Sequence, residues 1–285
     1  MIDNTSASSS FAPPGHFYSP HPDLNEVESR AKQLFGDIPP GLPGIDLNPS
    51  GQLELLAAFT QFYADLPWAE DHRPPLRYYY GNNFFCHGDA IALFSILRHF
   101  RPKRIVEIGS GFSTAAMLDT VELFGLRPCE ITCVEPHPDR LRSLLRGDEN
   151  TTLRLHEHKL QDVNKALFET LQTGDVLFID SSHVSKIGSD VNRLIFEILP
   201  RLKSGVLVHV HDIFYPFEYP KDWIMEGRAW NEAYLLRAFL QFNDVYRIIF
   251  FNSYLHCVHR EIISGRLPLT ARNPGGSLWL QKVRD

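Results

Sequence analysis

The chain has 285 residues and a mass of 32.6 kDa, and 44% of its residues are hydrophobic while 22% are charged. These ordinary globular values exclude a disordered, collagen-like or coiled-coil chain, and the length predicts one large or two modest domains. The formal net charge is −6, from 28 basic and 34 acidic residues. Because no segment concentrates positive charge, a nucleic-acid partner is not expected.

The sequence also bears on location. No stretch approaches the roughly 18 consecutive apolar residues of a membrane span, and residues 1–10 lack the basic and apolar regions of a secretory signal. We therefore expect a cytoplasmic protein with no membrane partner. The cysteines form no CxxC pair and are expected to be reduced core thiols rather than zinc ligands; they are Cys86, Cys129, Cys133 and Cys257.

Segment 1–83 differs in composition from the rest of the chain. It opens with a serine-rich tract, contains three proline pairs and shows one clear helical run, over residues 53–66. A high content of serine and proline with little helical pattern is typical of a loop-rich accessory region. We interpret residues 1–83 as an N-terminal arm or lid, and residues 84–285 as the main domain. The aromatic-rich stretch 78–89 at their junction either closes over a bound ligand or packs against the sheet.

From about residue 89 onward, short β-branched runs alternate with amphipathic helices. This alternation predicts an α/β domain with a doubly wound, mostly parallel sheet. Seven strands are predicted, at residues 104–109, 130–135, 152–156, 176–180, 206–211, 246–251 and 277–282. The segment 252–276 is rich in turn formers and shows no clear helical stripe, so the last two strands are predicted to pair antiparallel.

The predicted helices between the strands have recognisable starts and faces. After Ser189, a suitable N-cap, apolar residues recur every third or fourth position from Val191 to Leu202, which predicts one buried face. Pro138 and Gly147 suit the start and the end of a helix over residues 139–146. Further helices are predicted over residues 113–124 and 231–242.

The most informative stretch is an apolar strand that ends in Gly109-Ser110-Gly111 and continues into a helix. The two glycines permit a tight turn and close approach of a ligand to the backbone, and the helix N-terminus offers N–H groups to an anion. A plain strand-to-helix turn is the alternative. A dinucleotide site of the GxGxxG type is less well supported, because Thr114 stands where the third glycine belongs.

Glu135 ends the next strand, about two dozen residues after the glycines. At this position an acidic side chain can bind both hydroxyls of a ribose. The alternative is a solvated carboxylate at a strand end. Together with the glycine turn, Glu135 favours a nucleoside-containing ligand.

Taken in order, a set of motifs resembles the class I S-adenosylmethionine-dependent methyltransferases: Glu107 with the glycine turn, Glu135, Gln161-Asp162 and Asp180. The resemblance covers residues 84–285, including the terminal antiparallel strand. It implies that the turn faces the methionine part of the cofactor, Glu135 holds the ribose and Asp162 meets the adenine. Asp180 can contact the cofactor amino group. The predicted cofactor site consists of Glu107, Gly109, Ser110, Gly111, Ser113, Glu135, Asp162 and Asp180.

Acidic residues and histidines follow the fourth and fifth predicted strands, and they should converge because ligands of open α/β sheets bind outside the carboxyl ends of the strands. Asp180, His211 and Asp212 form a ligand set suited to Mg²⁺, Mn²⁺, Fe²⁺ or Zn²⁺. The set resembles the metal site of catechol-type and macrolide-sugar O-methyltransferases. His211 departs from that pattern, which has an acidic or amide residue there. A hydrogen-bonded polar cluster is the alternative to a metal site.

His183 lies three residues beyond Asp180, where catechol-type relatives carry the lysine that deprotonates the substrate hydroxyl. We predict His183 as the general base, titrating at about pH 6 to 7, with His211 as a second catalytic candidate. The alternative is that His183 only caps its loop, in which case Lys186 is the nearest substitute. His209 is expected to be a core histidine.

A long aromatic loop, residues 213–230, follows the fifth strand. Loops of this length are uncommon unless functional, so it is a candidate wall of the substrate site. A packed surface loop and a contact in a homodimer are the alternatives.

The function expected from these features is methyl transfer from S-adenosylmethionine to a hydroxyl of a small molecule, with or without a metal ion. Two rival hypotheses are an enzyme of the same fold that catalyses cyclisation or hydroxylation, and a binding protein without catalysis.

Overall fold

Seven strands form one sheet in the order β3-β2-β1-β4-β5-β7-β6. The structure is a computed structural model that describes residues 11–126, 128–147, 149 and 152–285. The serine-rich tract and the segment inspected for a secretory signal lie outside the described residues. The strands are β1 Arg104–Ile108, β2 Glu130–Val134, β3 Leu153–His156, β4 Val176–Ile179, β5 Leu207–Val210, β6 Tyr246–Phe251 and β7 Leu278–Lys282.

The first five strands run parallel, and β7 lies antiparallel between β5 and β6. This confirms the predicted doubly wound sheet and its antiparallel end. The chain winds outward in opposite directions from β1 and β4, so the carboxyl ends of these two strands flank the crevice where such sheets bind ligands.

Several predicted strands end one residue earlier than expected. Gly109, Glu135, Asp180 and His211 were placed at strand ends, and each lies directly after the last ladder residue. At Gly109 the cause is visible, because its φ of 78° turns the chain out of the sheet. The chemically interesting residues therefore stand at the mouth of the crevice rather than inside the ladder.

Helices cover the faces of the sheet. They are α1 Leu24–Ser29, α2 Ala31–Phe35, α3 Pro49–Phe59, α4 His87–Phe100, α5 Phe112–Leu123, α6 Asp139–Leu144, α7 Ala166–Glu169, α8 Asp190–Arg193, α9 Lys221–Met225, α10 Glu232–Leu240, α11 Asn252–Val258 and α12 Arg260–Arg266. Ser189 caps α8 as predicted, with its hydroxyl accepting from the Asn192 N–H at 3.2 Å. Beyond α8 the helical path continues as a π-helical and a 3₁₀ turn to Arg201.

Two helix predictions were wrong in detail. The helix expected over 139–146 ends at Leu144, because the backbone N–H groups of Arg146 and Gly147 instead donate to the Glu149 carboxylate, each at 2.8 Å. The stretch 252–276 contains α11 and α12, although no helical stripe was recognised there. Both helices have only seven residues, too few for a periodic pattern to stand out.

The described part of the arm is built into the core. The side chain of Gln52 on α3 accepts a hydrogen bond from the Phe251 N–H of β6 at 2.8 Å, and the Phe59 ring packs 5.1 Å from that of Phe250. Further along, the Trp68 indole N–H donates to Asp119 of α5 at 3.1 Å. These contacts attach the arm to the side of the sheet and to α5.

The hydropathy of the helices bears on the expected absence of a membrane span. Among the described residues, no helix is both long and apolar enough to cross a membrane.

Candidate functional site

The glycine turn after β1 lies directly against the end of β4. A Cβ atom added to Gly109 would lie 1.8 Å from the carbonyl oxygen of Asp180, a distance that no side chain tolerates. With the positive φ of Gly109, this contact explains why glycine is needed here. The turn therefore brings the backbone of 109–111 next to the first residue after β4.

Glu107 and Ser113 face the interior rather than the crevice, contrary to their predicted role as cofactor residues. The Glu107 carboxylate is fully buried and accepts hydrogen bonds from the hydroxyls of Ser113 at 2.5 Å and Thr114 at 2.6 Å, and from the Cys133 thiol at 3.2 Å. Burial raises the pKa of Glu107 to about 7, against the opposing effect of these hydrogen bonds. The cluster joins the first turn of α5 to β1 and so stabilises the glycine turn between them.

A cleft of about 540 Å³ opens between the carboxyl ends of β1, β2 and β4. Glu135 lines it, and its carboxylate accepts hydrogen bonds from the Ser110 N–H at 3.1 Å and the His137 N–H at 2.7 Å. The bond from Ser110 connects the predicted ribose-binding residue to the glycine turn, and the bond from His137 orients its carboxylate within its own loop. Other residues that line the cleft are Gly109, Gln161, Asp180, Lys186 and Asp190.

Asp162, predicted to meet the adenine, does not line the cleft. It is exposed at the end of a 3₁₀ turn, Leu160–Asp162. Its neighbour Gln161 lines the cleft instead, with its amide donating to the Gly188 carbonyl at 2.9 Å. Which of the two side chains faces the cleft depends on the direction of this turn.

Three carboxylates surround the imidazole of His183. Its Nε2 lies 3.4 Å from Asp180 Oδ1 and 3.7 Å from Asp212 Oδ2, and its Nδ1 lies 2.9 Å from Glu232 Oε2. The predicted convergence of the segments after β4 and β5 is therefore observed. Glu232 was not predicted as a site residue, because an acidic residue in the first turn of a helix is common for electrostatic reasons alone.

The charges in this cluster shift the pKa values of both His183 and Asp180. Burial lowers the pKa of His183, but its hydrogen bonds to Asp180 and Glu232 outweigh this effect and raise it to about 10. Conversely, burial raises the pKa of Asp180, whereas the charges of His211 and His183 bring it down to about 2. The predicted titration of His183 at about pH 6 to 7 is wrong for this structure, because the prediction considered neither carboxylate partner.

The predicted metal ligands do not form a common coordination site. His211 Nε2 lies 3.5 Å from Asp212 Oδ1, while Asp180 and Asp212 both face the His183 ring that lies between them. Among the described residues, no three histidine, cysteine, aspartate or glutamate side chains are gathered as a metal-binding group. The arrangement agrees better with the alternative, a polar cluster in which His183 supplies the positive charge.

Behind this cluster lies a second buried polar group. The His209 ring stacks on Phe178 with a centroid distance of 3.7 Å, and its Nε2 lies 2.9 Å from the Ser277 hydroxyl, which donates to Asp89 at 2.6 Å. Burial keeps the pKa of His209 well below its usual value. The structure thus agrees with a core role for His209. Asp89 was missed, although a carboxylate within the apolar run of α4 was a detectable signal.

The aromatic loop divides into a packed part and a part near the site. Tyr215, Phe217 and Tyr219 are buried. In contrast, the Trp230 ring lies 4.4 Å from the ring of His183 and 5.4 Å from that of Trp223, and both tryptophans are partly exposed. The loop therefore combines the packing role and a place beside the candidate base.

The aromatic stretch 78–89 mainly packs on the sheet. The Tyr78 hydroxyl donates to the Phe85 carbonyl at 2.7 Å, and the Phe85 ring lies 6.0 Å from Phe178 of β4. Phe84 is exposed and stacks beneath the Arg140 guanidinium at 3.6 Å. In this conformation the packing alternative describes the stretch, apart from Phe84.

Comparisons with known proteins agree with this geometry. A family model described as a methyltransferase domain matches residues 106–213, which span β1 to the residue after Asp212. An uncharacterised protein of Archaeoglobus fulgidus is 39% identical over 165 residues, and the alignment covers 56% of this chain and 73% of that protein.

Solved methyltransferase structures are similar at a lower level. The O-methyltransferase TomG from Streptomyces achromogenes, in complex with S-adenosylmethionine, has 11% identity and a TM-score of 0.45, with 91% of this chain and 96% of TomG covered. A putative O-methyltransferase from Klebsiella pneumoniae has 15% identity and a TM-score of 0.42, with 91% and 97% covered. The family model and the strand order confirm the predicted resemblance to the class I S-adenosylmethionine-dependent methyltransferases, and residues 106–213 are the part of the chain that matches the methyltransferase domain.

Proposed function

We propose that the protein transfers the methyl group of S-adenosylmethionine to a hydroxyl of a small molecule. The observation that carries this proposal is that Asp180 belongs both to the cleft and to the cluster of charged side chains around His183. The cleft beside the glycine turn and Glu135 also contains Asp180, which contacts the His183 imidazole at 3.4 Å. A cofactor site and a candidate proton acceptor thus meet at the carboxyl ends of β1 and β4.

The residues of the cleft fit the cofactor. Gly109 leaves the backbone open for the methionine part, and Glu135 presents carboxylate oxygens for the ribose hydroxyls. Gln161, which lines the cleft, is proposed to meet the adenine in place of Asp162. Asp180 is ionised at neutral pH because of its low pKa, so it attracts the positively charged part of the cofactor. When bound, S-adenosylmethionine supplies an electrophilic methyl group on a sulfonium.

His183 is the candidate proton acceptor for the substrate hydroxyl. Its Nε2 faces Asp180 and Asp212, and its other nitrogen is occupied by Glu232. Because its pKa is about 10 in the ligand-free protein, His183 must first lose a proton. A further positive charge beside Asp180 would lower the pKa of His183 and favour this loss. Proximity of the two reacting groups then accounts for much of the acceleration.

No step of this reaction is assigned to a metal ion. Asp180 and Asp212 both face the His183 imidazole, so its positive charge already offsets part of the negative charge that a divalent ion would neutralise. His211 remains a candidate for a supporting role, since its fully buried ring contacts Asp212.

The substrate is proposed to lie beside two partly exposed rings, Trp230, which borders His183, and Trp223, which packs against Trp230. Flat apolar side chains next to a polar centre are typical of small-molecule sites. The proposed partner is therefore a small molecule rather than a nucleic acid or a membrane.

The test begins with calorimetry of S-adenosylhomocysteine binding, followed by a screen of hydroxyl-containing acceptors with labelled S-adenosylmethionine. Methylated product and S-adenosylhomocysteine are expected in equal amounts. Release of methylthioadenosine instead would indicate cyclisation chemistry. Binding without turnover of any acceptor would favour a non-catalytic cofactor-binding protein.

The role of His183 is tested in the same assay. His183→Ala should lower kcat by about 10²- to 10⁴-fold, the usual contribution of a positioned base, while the affinity for S-adenosylhomocysteine changes less than about twofold. If His183→Ala keeps its rate and Lys186→Ala loses it, the base is Lys186.

A further inference from the structure

The loop that carries His183 is fastened to the beginning of α10. The backbone N–H groups of Asn231 and Glu232 both donate to the His183 carbonyl oxygen at 3.1 Å. The Asn231 side chain also accepts from the Ser185 N–H at 2.6 Å and donates to the Ser185 carbonyl at 3.2 Å. We call Trp230, Asn231 and Glu232 the clip. It joins the end of the aromatic loop to the loop after β4.

The clip also determines how the His183 ring is turned. Glu232 Oε2 lies 2.9 Å from His183 Nδ1, and both side chains are buried. The Trp230 ring covers the imidazole at 4.4 Å. With Nδ1 occupied by Glu232, the ring presents Nε2 toward Asp180 and Asp212, since the two nitrogens lie on opposite sides of the imidazole.

The backbone conformation of His183 depends on its hydrogen bonds to the clip. Its φ is 58°, in the left-handed region, which is unfavourable for a residue with a Cβ atom. The hydrogen bonds from Asn231 and Glu232 to the His183 carbonyl hold the chain in that conformation. Loss of the clip would therefore release both the loop and the ring.

We propose that Glu232 is a positioning residue, which holds the His183 imidazole with Nε2 directed toward the carboxylates of Asp180 and Asp212. This inference rests on the proposed function for its catalytic consequence, but the orientation itself is independent of turnover. Here the hydrogen bond of the Glu232 side chain is made to the imidazole itself.

The orientation is tested by nitrogen-15 spectra of histidine-labelled protein, with the His183 signals assigned from their loss in His183→Gln. In the wild type, an Nδ1–H signal protected from solvent exchange is expected. Glu232→Ala should abolish this protection, because no acceptor remains. Glu232→Gln should retain it, since the amide oxygen can still accept. Unchanged His183 signals in Glu232→Ala would overturn the proposal.

The catalytic consequence is tested with an acceptor from the screen. Glu232→Ala should lower kcat by about 10- to 100-fold, as is typical when an orienting partner of a functional histidine is removed, with KM changing less than about twofold. Glu232→Gln should recover most of the rate. The matched control is Glu70→Gln, which removes another histidine–carboxylate pair, to His87 at 3.0 Å, and should leave kcat unchanged.

The outcomes separate the two proposals. A disordered His183 ring in Glu232→Ala with an unchanged kcat overturns the positioning role. Equal losses in the alanine and glutamine variants also overturn it, because they would indicate a general requirement for the charge. A wild-type protein that does not bind S-adenosylhomocysteine refutes the proposed function, whereas the spectra still decide the orientation of the ring.

Discussion

Replacement of Glu135 by alanine is the most direct perturbation of the proposed cofactor site. Its two oxygens accept hydrogen bonds from the Ser110 and His137 backbone N–H groups, at 3.1 and 2.7 Å. The backbone therefore orients the carboxylate, and each oxygen retains a lone pair for a ribose hydroxyl. Binding should require little additional ordering of this side chain.

The loss of a charged hydrogen-bond partner is worth roughly 1 to 3 kcal/mol, which corresponds to a Kd about 5- to 150-fold weaker. We expect this change in calorimetric titration of Glu135→Ala with S-adenosylhomocysteine. Methylthioadenosine should be weakened by a similar factor, because it contains the same ribose. Glu135→Gln should lose less affinity than Glu135→Ala, since one oxygen acceptor remains.

The matched control is Glu130→Ala, an exposed carboxylate at the opposite end of the same strand. Its affinity for both ligands should equal that of the wild type. The melting temperature of each variant without ligand shows whether the loss of the bonds to Ser110 and His137 unfolds the turn. An affinity of the folded Glu135→Ala variant within twofold of the wild type would refute the ribose assignment.

The other predictions concern the fold, the pH dependence and the metal. Gly109→Ala should abolish S-adenosylhomocysteine binding and lower the melting temperature more than Gly174→Ala, because Gly174 has a similar positive φ but open space around it. Glu107 is a carboxyl whose pKa is raised to about 7 in the folded state, so its contribution to stability falls as pH rises from about 4.5 to 7. In chemical denaturation, the free energy of unfolding of the wild type should therefore rise by on the order of 3 kcal/mol relative to that of Glu107→Gln when the pH is lowered from 7 to 4.5. Parallel curves of unfolding free energy against pH for the two proteins would contradict this. The raised pKa of His183 predicts that kcat/KM keeps rising with pH above 7 toward about 10, and a plateau reached by pH 7 would show that the pKa is not raised in solution. Exhaustive chelation with EDTA should leave turnover intact, and activity that is lost and then restored by Mg²⁺ would show that the carboxylates rearrange around an ion.

The sequence allowed the sheet to be predicted because each strand is a short apolar run bounded by a clear change of pattern. The strand order then brought 180–183 and 209–212 to the same edge, as expected from the rule for parallel sheets. Gly109 and Glu135 could also be placed, since their roles depend on the backbone path and on position after a strand. These features are local, and local features are visible in a single sequence.

The remaining errors involve contacts between distant segments. Glu232 lies 49 residues from His183 along the chain, and only the fold shows that its carboxylate meets the imidazole. The same contact explains the error in the pKa of His183. Glu107 was misassigned because the same acidic residue can face the cleft or the interior, depending on which hydroxyls lie behind the strand.

The N-terminal arm contacts the edge of the sheet that β6 forms. Among the described residues β6 pairs with β7 alone, so its other edge would offer free backbone groups to a second sheet, the usual route to edge-to-edge aggregation. Asn48 donates to the Ile248 carbonyl at 2.9 Å, and Gln52 accepts from the Phe251 N–H at 2.8 Å. Two amide side chains from the start of α3 thus occupy backbone positions that a foreign strand would need, and the arm protects the protein against strand addition at this edge.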